Sequence, residues 1–224
     1  MSAAPLTVIE RETGASPDFA VIWLHGLGAD GNDFVPVIPE LDLPADAAVR
    51  FVFPNAPLMP VTINSGYVMP AWYDIRSLDG DTRLVDEAGI RASREAVRAL
   101  IARENARGIP CARIVIAGFS QGGAMAYSIG LTHPERLAGI IALSCYLPSP
   151  ALVRDELSDT SRGIPVFAGH GSHDDIVPVR LGELARDQAQ ALTGQAPAWH
   201  AYPMPHSVCL EEIADIGAWL RERL

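Results

Sequence analysis

The sequence has little that would take the chain out of an aqueous compartment. Its start, MSAAPLTVIERETG, lacks both the basic residues and the long apolar run of a secretory signal. No apolar stretch approaches the roughly 20 residues needed to cross a bilayer. A cytoplasmic protein without stable membrane insertion is therefore expected. Cysteine is scarce: Cys111, Cys145 and Cys209 are odd in number and match neither metal-site nor redox spacings. Buried free thiols are expected, and no disulfide framework. Positive charge is in deficit, with 17 Lys and Arg against 27 Asp and Glu and a formal net charge of −10. An acidic chain lacks the basic face that nucleic acid or an anionic membrane would recognise, so no nucleic-acid partner is expected. Low-complexity tracts, internal repeats, a GxGxxG fingerprint and a P-loop lysine are all missing, which disfavours a nucleotide-binding reading of the glycine-rich segment near residue 28.

What is present is enough apolar residue for a full core. At 224 residues, 49% of them hydrophobic, the chain falls in the range of one domain, spanning 1–224. Apolar, β-branched runs recur at 19–24 (FAVIWL), 49–53, 113–117, 137–143, 164–169 and 197–202. Helix-period segments lie between most of them, at 86–105, after Ser120, at 179–192 and at 211–224. Buried strands alternating with amphipathic helices predict an α/β fold with a mostly parallel central sheet and helices on both faces. The opening LTVIER (6–11) is placed as an antiparallel edge strand. Pro54 to about Gly80 breaks the rhythm with prolines and poor periodicity, yet carries Met69, Trp72 and Tyr73. Such a loop, with no room for a separate cap domain, is expected to shape a substrate pocket, with Met69 and Trp72 as its binding residues.

The stretch RIVIAGFSQGGAMAYSIG (113–130) begins as a strand and ends as a helix, with Ser120 at the corner between Gly118 and Gly122. Bulky groups at either glycine would collide with the helix or the adjoining strand. The pattern G-x-S-x-G in a strand–turn–helix setting is a nucleophile elbow, which lifts the hydroxyl above the carboxyl end of a sheet. A serine hydroxyl needs a base, and the base a carboxylate to fix its tautomer. In the order Ser, acid, His, the base falls late in the chain. His200 sits within a strand, whereas His206 follows YPMP in the loop after it, so His206 is the expected base. The acid belongs in VFAGHGSHDDIVP, where spacing leaves Asp174 and Asp175 open. His170 and Gly171 are assigned to the turn and His173 to solvent. An oxyanion hole requires two N–H donors: Gln121, after the nucleophile, and Leu27 in LHGLGADGNDF.

With HGLGADGNDF, PVTINSGYVMPAWYDI, DEAGI, GFSQGGA, HGSHDDIVP and YPMPHSVCLEEI in this order, the chain resembles the bacterial carboxylesterase and acyl-protein thioesterase family of small α/β-hydrolases, from about residue 20 to its end. The resemblance implies Ser120 as nucleophile, Asp174 as acid, His206 as base, and Leu27 and Gln121 as oxyanion donors. The block NSGYVMPAWYDI is closer to the bacterial carboxylesterases than to eukaryotic protein-depalmitoylating members. The leading expectation is a serine carboxylesterase acting on esters of small to medium acyl chains through an acyl-enzyme on Ser120. Acyl-thioesterase or lysophospholipase activity with the same triad is the alternative, and a catalytically silent binding relative the reading from a different class. No cofactor and no metal are expected, the partner is a small ester or thioester substrate, and a homodimer is left open.

Overall fold

The computed structural model describes residues 5–79 and 82–224; the first residues of the N-terminal stretch, and Gly80, lie outside them. The strands are β1 (Val8–Glu12), β2 (Phe19–Leu24), β3 (Val49–Pro54), β4 (Leu58–Val61), β5 (Tyr67–Pro70), β6 (Ile75–Asp79), β7 (Thr82–Val85), β8 (Ile114–Phe119), β9 (Gly139–Leu143), β10 (Val166–Gly171) and β11 (Ala198–Tyr202). The helices are α1 (Glu87–Ala106), α2 (Gln121–Thr132), α3 (Pro150–Asp155), α4 (Val179–Thr193) and α5 (Leu210–Arg221). Seven strands form one sheet in the order β1-β3-β2-β8-β9-β10-β11. β1 runs antiparallel to β3, pairing Val8 with Pro54 and Glu12 with Arg50, and every other pairing in the sheet is parallel. This is the α/β-hydrolase fold, mostly parallel, with the antiparallel edge where LTVIER was placed.

The period-two alternation of the strands divides the core. Ala20, Ile22 and Leu24 of β2 face one way, with Ile116 of β8 and with Val97, Tyr127 and Leu181 of α1, α2 and α4. Phe19, Val21 and Trp23 face the other way, onto Ile213 and Trp219 of α5 and onto Val37 and Leu41 of a 3-10 helix. Because both faces are covered, the central strands read as unbroken apolar runs. Asp86 caps α1, its carboxylate accepting from the Gly89 N–H.

The segment after Pro54 departs from expectation. It is not an irregular loop: β4 pairs with β5 and β6 with β7 as two antiparallel ribbons. Both strands of a two-stranded ribbon are edges, so Pro60 and Pro70 are tolerated there, and the first turn uses Ser65 and Gly66 at positive φ. The prolines and the shortness of these strands hid them. No helix among the described residues is long and apolar enough to cross a membrane.

Candidate active site

β8 ends at Phe119 and α2 begins at Gln121, leaving Ser120 alone at the corner with φ 55° and ψ −119°. A side-chain-bearing residue is strained there and stays only where its surroundings over-determine it. The Ser120 N–H donates to the Leu143 carbonyl at 2.8 Å, and the Ser120 carbonyl accepts from the Ala124 N–H at 3.0 Å. The flanking glycines are obligatory. A Cβ on Gly118 would lie 2.2 Å from the Gly122 carbonyl oxygen, and one on Gly122 would lie 2.2 Å from that of Leu24. The helix thus seats directly on the end of β2, beside the loop that follows it.

His206 and Ser120 line one cavity of about 280 Å³, together with Leu27 and Gln121. His206 Nδ1–H donates to Asp174 Oδ2 at 2.6 Å, which leaves Nε2 as the basic nitrogen. The ring also packs on Phe119, centroids 4.7 Å apart. Asp174 Oδ1 accepts from the N–H groups of Ile176 at 2.9 Å and Val177 at 2.8 Å. Burial alone would raise this carboxyl's pKa. The hydrogen bonds from His206, Val177 and Ile176, with the His206 charge, outweigh it and hold the group below its ordinary value. Asp174 is buried and Asp175 exposed, so the structure brings Asp174, and not its neighbour, to the histidine. His170 belongs to the end of β10 rather than to a turn. Its ring is buried and donates from Nε2 to the Val177 carbonyl at 2.8 Å, bracing the same loop. His173 is exposed, and His200 stacks on Phe167 within β11.

Gln121, at the first turn of α2, has no intrahelical acceptor for its N–H. Among the described residues, neither its N–H nor that of Leu27 is taken by another protein group. The loop carrying Leu27 is fixed by His25. The Ala56 N–H donates to His25 Nε2 at 3.0 Å, so Nδ1 carries the proton and donates to the Gly26 carbonyl at 2.7 Å. Burial, outweighing that bond, keeps the ring neutral by lowering its pKa.

Trp72 is not a pocket residue. It is fully buried, donates from Nε1 to the His25 carbonyl at 2.9 Å, and its carbonyl accepts from the Ser93 hydroxyl. The Gln121 side chain clamps the same segment, accepting from the Trp72 N–H at 2.8 Å and donating to the Tyr73 carbonyl at 2.8 Å. Nor does Met69 reach the cavity wall. It lies over Gly28, where its sulfur would sit 3.6 Å from an added Cβ. Large apolar residues of this segment prop the loop carrying Leu27 from behind, and the cavity is lined instead by Ile63, Ile75, Leu78, Tyr146, Ile176 and Val177. Ile63, Ile75 and Leu78 come from the segment expected to shape a pocket, though Met69 and Trp72 were the residues chosen from it, and Tyr146, Ile176 and Val177 were missed. For Ile75 and Leu78 the available signal was alternation along β6, masked by the shortness of the ribbon. The three cysteines are free, Cys111 and Cys145 buried and Cys209 partly so.

The fold defines an α/β-hydrolase, with Ser120 at the corner between β8 and α2. The family model described as Phospholipase/Carboxylesterase matches residues 7–224, and the chain belongs to that family of serine hydrolases. It is 40% identical over 235 residues to acyl-protein thioesterase 1 of Mycosarcoma maydis, covering 99% of this chain and 98% of that one. Acyl-protein thioesterase 2 of Zea mays superposes with a TM-score of 0.86 at 25% identity, over 97% of this chain and 98% of that one. Esterase PE8 superposes with a TM-score of 0.80 at 29% identity, over 98% and 99%.

Proposed function

We propose that the chain hydrolyses acyl thioesters, with carboxylic esters as weaker substrates, through an acyl-enzyme on Ser120. The observation that carries the mechanism is His206, hydrogen-bonded to the buried Asp174 and lining one cavity with Ser120. In this reading His206 Nε2 takes the Ser120 proton as the hydroxyl attacks the acyl carbon. Asp174 holds the ring in the needed tautomer and stabilises the imidazolium. The N–H groups of Leu27 and Gln121 receive the developing oxyanion, preorganised and shielded from water. His206 then protonates the departing sulfur or oxygen, and in the second half activates the water that releases the acid.

The preference for sulfur revises the ester-first expectation. It rests on the 40% identity to a fungal acyl-protein thioesterase over almost the whole chain, a stronger likeness than the short NSGYVMPAWYDI block that leaned toward carboxylesterases. The chemistry agrees, because a thiol, with a pKa of about 8.5 in cysteine, leaves more readily than an alcohol. Matched thioesters and oxoesters of one acyl chain, compared by kcat/KM across chain lengths, test this. Higher values for thioesters at each length support the reading, whereas oxoesters turned over faster would return the chain to the carboxylesterases. The apolar wall formed by Ile75, Leu78 and Ile176 favours medium chains over acetyl, each buried methylene contributing up to about 0.8 kcal/mol.

A further inference from the structure

Cys111, His133 and Glu135 show no ligand spacing in the sequence, yet the fold draws them together where the turn before β8 meets the end of α2. Each presents one ligand atom, and the three atoms lie within 4.8 Å of one another. Cys111 Sγ is 3.7 Å from His133 Nε2. A tetrahedral zinc ion with Zn–S of about 2.3 Å and Zn–N of about 2.0 Å holds its sulfur and nitrogen roughly 3.5 Å apart, so the pair needs to move by only a few tenths of an ångström.

The surroundings are unusual for a plain packing contact. His133 is buried, and its Nδ1 has no hydrogen-bond partner among the described residues. The nitrogen that faces the thiol is Nε2, and its contact with Sγ is at van der Waals range, where an ion between the two would supply a closer partner. Asn105 Nδ2 donates to Cys111 Sγ at 3.1 Å, the kind of outer contact that steadies a thiolate ligand. Arg98 opposes a cation here, while the Glu135 and Glu95 carboxylates favour one. A thiolate and the Glu135 carboxylate together match a divalent charge. Glu135 is exposed where the other two are buried, which gives an ion a way in from solvent.

We propose that Cys111, His133 and Glu135 form a site for a thiophilic divalent cation, with Zn²⁺ as the first candidate and water in the fourth position. Sulfur and imidazole donors suit zinc and not magnesium or calcium. On binding, the Cys111 thiol gives its proton to solvent as the S–Zn bond forms, with no change of oxidation state. The ion would tie the turn after α1 to the far end of the helix that Ser120 opens. The role is structural, and the site stands apart from the cavity and from the proposed hydrolysis.

The test is Zn²⁺ titrated into chelator-treated enzyme, followed by calorimetry and thermal melting, with Co²⁺ as a spectroscopic stand-in. One ion per chain, a raised Tm, and a thiolate-to-cobalt absorption band in the near ultraviolet are expected. Cys111→Ser should remove the band and weaken binding by at least about 100-fold. Glu135→Gln, an exposed substitution that leaves folding intact, should weaken it by about 10-fold or more. No binding by the wild type, or a stoichiometry and affinity unchanged in Glu135→Gln and a cobalt spectrum without the sulfur band, would overturn the site.

Discussion

The corner at Ser120 and the ribbons that follow Pro54 are neighbours built on opposite terms. Every residue of α2 is buried, and the glycines before and within it admit no added carbon. The ribbons carry Tyr67 at 69% and Leu78 at 51% exposure, held to the body through Ala71, Trp72 and Tyr73, which are fully buried. The proposed nucleophile thus sits in a close-packed corner that tolerates one geometry. Part of the cavity wall, Ile63, Ile75 and Leu78, is carried by this apolar flap outside the corner. Trp72 belongs to the corner by contact although it belongs to the flap by sequence.

The largest effect should come from within the corner. Asp174→Asn keeps the shape of the carboxylate but turns the His206 tautomer, and kcat should fall by up to about 10⁴-fold with little change in Tm. Retained activity there, with loss in Asp175→Asn, would move the acid by one residue.

Trp72→Ala comes next. It should cost about 3–5 kcal/mol of stability and lower kcat/KM by a similar factor for every acyl chain length, because the indole N–H supports the His25 carbonyl. Denaturant melts and a chain-length series check this. A mutant of normal stability that simply favours longer chains would return Trp72 to the pocket.

A third prediction concerns Glu212, at the start of α5, whose two carboxyl oxygens are buried without partners among the described residues. Burial, with a smaller contribution from Asp215, raises its pKa to about 8. The folded chain therefore binds a proton that the unfolded chain has released, so this group's contribution to stability falls as pH rises from about 4.5 to 8 and is level above. The neutral buried histidines His25 and His170 act in the opposite sense near pH 6, their pKa values lowered chiefly by burial. For that reason the check is the difference between wild type and Glu212→Gln. Their stability gap should shift in favour of the variant by a few kcal/mol between pH 5 and 8. A gap independent of pH would mean that Glu212 is ionised in the fold.

The smallest effect belongs to the flap: Tyr67→Ser should change stability by less than about 0.5 kcal/mol, measured by urea titration. A loss comparable to that of Trp72→Ala would erase the contrast between the two regions.

How much of this the sequence carried follows the same division. Strands buried on both faces announce themselves as apolar runs, and Gly118, Ser120 and Gly122 mark a corner that few other residues could turn. His206 and Asp174 could be sought by order along the chain and, for the aspartate, by resemblance. The ribbons could not be read, since Pro60 and Pro70 interrupt strands too short to show a period. Trp72 was misplaced because its apolar bulk fits a pocket wall as well as it fits a core, and only its contacts with His25 and Gln121 separate the two. Cys111, His133 and Glu135 carry no local signal. Their proximity is a product of the finished fold.

The central claim is that acyl transfer passes through Ser120, and intact-mass spectrometry of enzyme quenched during turnover of a medium-chain acyl thioester tests it most directly. The account predicts a mass increase of one acyl group, mapped to the peptide containing Ser120 and absent in Ser120→Ala of unchanged Tm. Turnover that persists in Ser120→Ala, or an acyl group found on another residue, would contradict it.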